Sequence, residues 1–153
     1  MADELLPELD RLDAWSFWVA PGKGFGVDRI VIGTTGSFVV AVVSDEGYMK
    51  VSLGRAKIGD RSISLSGLKS KAKKLRAKLA SLEVPTQTEA IICCTNATIG
   101  APKNVKGVWV VRPADIARII SHRPSPVPRA AAKKAAQALG AKIRSSRPEA
   151  REG

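Results

Sequence analysis

The sequence predicts an α/β (α+β) sandwich in which helices flank a mixed sheet, and three observations carry this reading. Apolar, β-branched runs of strand length ("RIVIG", "SFVVAVV", "EAIICC") recur along the chain. The first two are joined by "GTTG", a hairpin connection whose glycines tolerate positive φ, so they pair antiparallel. A long helical stripe then separates them from the later strands, a spacing that permits parallel pairing through a crossover.

The elements follow in order. Residues 3–13 predict a short helix, with Leu5, Leu6, Leu9 and Leu12 at helical spacing and Pro7 in its first turn. "WSFWVA" reads as a strand that sets Trp15, Phe17 and Val19 on one face and Trp18 on the other. Core packing suits Trp15 and Trp109, while Trp18 stands as a candidate base-stacking aromatic. "PGKGFG" is a glycine-rich hairpin tip; as a phosphate loop it lacks the following helix and the closing Lys-Ser/Thr. After the GTTG hairpin, "YMKVSL" and "RAKIG" form a second hairpin about Gly54. Leu68, Ala72, Leu75, Leu79 and Leu82 make one apolar stripe over 66–82, with Ser66 as N-cap and Pro85 as stop. "EAIICCT" is a strand apolar on both faces, hence central. "KGVWVVRP" is a further strand, and "PADIARIISH" is a helix opened by Pro113. The expected organisation is a domain over 1–121, a proline-rich linker over 122–128, a basic alanine-rich helix over 129–144 and a disordered tail over 145–153.

The 153 residues suffice for one domain with a real core. No apolar run approaches the roughly 20 residues that span a bilayer. The start, "MADELLPELD", lacks the basic and apolar regions of a signal peptide. With Cys93 and Cys94 adjacent, an ordinary disulfide between them is disfavoured, and the reading is a reducing, cytoplasmic compartment. Two thiols and the distant His122 are too few for zinc, so the cysteines read as buried apolar residues and His122 as a helix C-terminus. The net charge of +11 is uneven: residues 1–65 hold 7 Lys/Arg against 9 Asp/Glu, and residues 66–153 hold 18 against 5. Such a basic half calls for a polyanion, nucleic acid before an anionic membrane. The candidate contacts are Lys69, Lys71, Lys73, Lys74, Arg76 and Lys78 on the central helix, with Lys133 and Lys134 on the last one.

The stretch "VDRIVIGTTGSFVV" with the glycine near Gly47, together with the basic helix, "AIICCTNA" and "VKGVWVVRPADIARII", resembles the nuclease-related domain (NERD) family over about residues 5–121. The resemblance implies a restriction-endonuclease-like three-layer sandwich and metal-dependent phosphodiester cleavage. Such chemistry needs two or three carboxylates on a hard cation and a lysine near the attacked phosphate. Asp28 matches the family's aspartate. The family's carboxylate-x-Lys falls on Ala41 and Val43, its histidine on Arg29, and its helical glutamate on Glu4 or Glu8. With that pair lost, Asp28 is a vestigial catalytic residue, or one engaged locally with Arg29. Relocated Mg²⁺ ligands could come from Asp28, Asp45 and Glu46 with Lys50 or Lys57, though "SDEG" also reads as a plain turn.

These residues point to a catalytically degenerate nuclease domain that binds nucleic acid, DNA foremost, and holds no cofactor. Two alternatives stand beside it. One is an active Mg²⁺-dependent nuclease with relocated ligands. The other is a protein-interaction domain, with the last helix as the partner surface.

Overall fold

In the computed structural model, which describes residues 7–13, 15–84, 86–123 and 126–141, the expected strands form and others join them. Glu4, Pro85, Lys142 and the 145–153 tail lie outside the described residues. In chain order the strands begin with β1 (Phe17–Pro21), β2 (Arg29–Gly33) and β3 (Gly36–Val43). They continue with β4 (Gly47–Ser52), β5 (Arg55–Ile58) and β6 (Arg61–Ser64). Helix α1 (Leu65–Ser81) follows, then β7 (Thr88–Cys94), β8 (Ala97–Thr98), β9 (Lys103–Val105) and β10 (Val108–Val111). Helices α2 (Pro113–Ser121) and α3 (Arg129–Ala138) close the described chain.

The central sheet has the order β1-β2-β3-β7-β10-β9. Its first three strands are antiparallel, β3, β7 and β10 run parallel, and β9 returns antiparallel, so the sheet is mixed. Thr34 and Thr35 make the two-residue turn between β2 and β3. Gly33 lies opposite Phe17; a Cβ there would sit 2.1 Å from the Phe17 ring, so only glycine fits the ring against the sheet.

Alternation divides the core in two. Ile30, Ile32, Val39, Val43, Ala90, Ile92, Val108 and Val110 face α1 and α3, whereas Val31, Phe38, Val40, Ile91, Cys93 and Val111 face Leu9, Leu12 and α2. The protein is therefore a three-layer sandwich with a mixed sheet at its centre. The parallel pair β3 and β7 leaves this sheet together. Thr95 and Asn96 bond the carbonyls of Val43 and Ser44 across the bend, and the two chains pair again as β4 and β8. A second sheet, β6-β5-β4-β8, grows from that continuation.

Several expectations change. The described part of the first helix is a short 3₁₀ turn, Pro7–Arg11. The N-cap of α1 is Ser64, whose hydroxyl accepts from the Gly67 amide at 3.1 Å; Ser66 sits inside the helix. The last helix is a component of the sandwich. Ala132, Ala135 and Ala136 are fully buried in the core that includes β1 and β2, and Arg129 donates to the Trp15 carbonyl at 2.6 Å. The described end of the proline-rich segment is docked as well: Val127 is buried and its amide donates to the Thr34 carbonyl at 3.0 Å. Trp18 is 1% exposed in the core beneath the helices and cannot stack on a base.

Candidate functional site

Where the second sheet bends away from the first, an open cleft of about 400 Å³ forms between the start of β2, the end of β3, β6 and the first turns of α1. Asp28, Ala41 and Val43 all line it, together with Arg61, Ser64 and Lys71. Residues 41 and 43 share a face because successive side chains on a strand alternate, and that face is the one turned toward α1. The positions to which the resemblance assigns a carboxylate and a lysine thus do converge on Asp28, but they carry a methyl group and an isopropyl group.

The geometry gives Asp28 other work. The β2–β3 ladder runs to Arg29 opposite Val40, and the Asp28 amide adds one bond, donating to the Val40 carbonyl at 3.0 Å. The next outward amide of β3, Val42, then lies past the end of β2. It donates to Asp28 Oδ2 at 2.6 Å, a charge-assisted bond that closes the ladder. Arg29 reaches the Asp28 carbonyl oxygen, at 2.8 Å, rather than its carboxylate. This is why an acidic residue stands at the mouth of a buried strand.

The described residues do not fit a Mg²⁺ site of the expected kind. Asp45 is engaged by Arg61 at 3.1 Å. Glu46 is exposed. Glu8 belongs to the 3₁₀ turn whose Leu9 packs with α2, so it lies across the sheet from the cleft. Among the described residues no group of three or more His, Cys, Asp or Glu side chains could hold a metal ion. A hard cation with one available carboxylate is poorly held.

The sheet does, however, separate charge. Helix α1 buries Leu65, Leu68, Ala72, Leu75 and Leu79 and has no acidic residue. At 3.6 residues per turn its cations fall on two flanks. Lys71, Lys74 and Lys78 form one, and Lys71 donates to the Gly26 carbonyl at 3.0 Å. Lys69, Lys73 and Arg76 form the other, on which the Lys69 stem passes over Gly107. Lys71 is half-buried and the other five are exposed. Helix α3 lies in the same layer and adds the half-buried Arg129 and Lys133 and the exposed Lys134, again with no acidic residue. Across the sheet, the described side chains of the 3₁₀ turn and α2 include Glu8 and Asp115 against Arg11 and Arg118. The structure therefore gathers all eight sequence-predicted lysines and arginine into one basic layer.

The other singled-out residues are structural. Burial pushes the Cys93 thiol up to about 12, with the Cys94 and Glu8 charges adding to it, and burial alone pushes Cys94 to about 11. Both are free thiols, protonated at neutral pH and poor nucleophiles. His122 caps α2, its Nδ1 2.8 Å from the Arg118 carbonyl. Trp109 donates to Glu89 at 3.0 Å beneath Arg123, and Arg129 stacks 3.4 Å above the Trp15 ring.

A second cleft, of about 430 Å³, escaped sequence reasoning: Arg55, Lys69 and Lys106 line it beside Leu53 and Ser66. Arg55 could have been found from the alternation in "YMKVSLGRAKI", which places Lys50, Arg55 and Lys57 on one face of a hairpin. Nothing in the sequence brings Lys106 or Arg61 to these sites. No helix among the described residues is long and apolar enough to cross a membrane. Comparison of the chain with protein-family models, curated proteins and solved structures finds no match.

Proposed function

We propose that the protein is a catalytically degenerate domain of the nuclease-related, restriction-endonuclease-like type that binds nucleic acid, DNA foremost, through its α1/α3 layer. The observation that carries this reading is the segregation of charge: nine cations and no acidic residue on two neighbouring helices. Phosphate contacts from such a surface give affinity and position without reading sequence. The cleft supports the degenerate part of the reading. Its single carboxylate closes a backbone ladder, and the two positions beside it are apolar. The buried free thiols suit a reducing, cytoplasmic setting.

The test incubates the full chain with supercoiled plasmid and with single-stranded DNA, in Mg²⁺ and then in Mn²⁺. Retarded mobility without nicking is the expected result. Nicking that disappears in Asp28→Asn would overturn the reading and make the cleft an active site. Unretarded, uncut DNA at low salt would overturn the binding part and favour a protein-interaction domain.

A further inference from the structure

The outer face of the second sheet is a separate surface. Ala56 and Ile58 turn inward and are fully buried. Their neighbours Arg55 and Lys57 therefore turn outward, with Lys50, Ser52 and Ser62 opposite them in register. Arg55 Nε donates to Ser62 Oγ at 2.6 Å, which fixes both on this face. Lys50 and Lys57 are directly opposed, an arrangement of like charges that is unfavourable until an anion lies between them. No acidic residue occurs from 47 to 58; Glu46 and Asp60 lie beyond that span. At one end stands Tyr48, the chain's only tyrosine, 74% exposed and so presenting its ring to solvent. At the other end the face runs into the second cleft, where Arg55 meets Lys69 and Lys106. Leu53, 96% exposed, lines the same cleft from a turn where its φ of 52° suits Asn or Gly better than a bulky apolar residue.

We propose that this face is a track for single-stranded nucleic acid, with phosphates along Lys50, Lys57, Arg55 and the Lys69/Lys106 cleft and a base stacked on Tyr48. The proposal rests on the nucleic-acid reading above and refines it. A cationic groove punctuated by an exposed ring is the combination that holds unpaired strands, because every base has a face to stack whereas a duplex hides it. Among the described residues the α1/α3 layer offers no exposed ring: Trp18 is buried, Phe25 is half-buried against the core, and Arg129 covers Trp15.

The test measures binding of a labelled thymidine 20-mer and of a hairpin duplex to the full chain by fluorescence anisotropy. Four proteins are compared: wild type, Tyr48→Ala, Tyr48→Phe and the α1 variant Lys73→Gln/Lys74→Gln/Lys78→Gln. Tyr48 is exposed, so both substitutions should leave the melting temperature unchanged. Tyr48→Ala is expected to weaken single-strand binding at least about fivefold, the loss of one stacked base, with duplex binding within about twofold. Tyr48→Phe keeps the ring and should match wild type. Single-strand affinity that is equal in Tyr48→Ala and wild type, but lost in the α1 variant, overturns the track and leaves the α1/α3 reading standing. No binding of either probe by wild type overturns both.

Discussion

Replacing Asp28 by alanine separates a structural carboxylate from a catalytic one. The substitution removes the acceptor of the Val42 amide, a 2.6 Å bond to a charged group. Loss of such a bond leaves a backbone donor unpaired and costs about 1–3 kcal/mol when the site is dry. Val42 is half-buried, so water replaces part of the bond and the lower half of that range, about 1–2 kcal/mol, is expected. For a chain of this length, 1 kcal/mol shifts the melting temperature by about 2–4 °C, so the alanine variant should melt about 2–8 °C lower. Asp28→Asn keeps an acceptor oxygen in place and should recover most of the loss. The assay is thermal unfolding followed by circular dichroism at neutral pH. Equal melting of Asp28→Ala and wild type, or an Asn variant as unstable as the Ala variant, would refute the ladder-closing role.

Three further outcomes follow from the same geometry. Asp115, held below the usual carboxylate range by the Arg112 hydrogen bond foremost and by Arg118, stabilises the fold above its unfolded pKa near 4 and loses that contribution as pH falls through its lower folded value; wild type should therefore lose more stability than Asp115→Asn between about pH 5 and 2 in acid titrations. Cys93 and Cys94, raised to about 12 and 11, should resist iodoacetamide at pH 8 until denaturant is added, and their contribution to stability should fall from about pH 9 upward as the unfolded chain ionises first; rapid native-state alkylation in a mass-spectrometric time course would contradict this. Gly22→Ala should destabilise by about 1–3 kcal/mol in urea unfolding, because its new Cβ would lie 2.5 Å from the Val27 carbonyl oxygen, while Gly24→Ala, with nothing within 4 Å, should be near neutral.

What the sequence made legible was whatever a period could carry. The α1 stripe and the two-sided apolar runs of β3 and β7 were read because their burial is written as spacing. The short strands β6, β8 and β9 ("RSIS", "AT", "KNV") are too brief and too polar to show a period; β6 and β9 are arms of tight hairpins with β5 and β10, and β8 pairs with β4, about fifty residues away. Alanine hid the docking of α3. Ala132, Ala135 and Ala136 pack flush on the sheet but give little apolar signal, and the prolines before them suggest a linker. Trp18 departs from its expected role for a related reason: alternation separates two faces, but in a three-layer sandwich both are buried. At the site, the family resemblance assigns Ala41 and Val43 to positions beside Asp28, yet the Asp28–Val42 bond depends on where β2 stops, which only the folded ladder defines.

The most direct test of a silent, polyanion-binding fold is the affinity of the full chain for a short duplex, titrated from 50 to 200 mM salt. If the five exposed cations of α1 each neutralise one phosphate, the log–log slope should be about −4.5, a loss of roughly 500-fold across that range. A flat titration, or no binding at 50 mM, would contradict the assignment of the basic layer to nucleic acid.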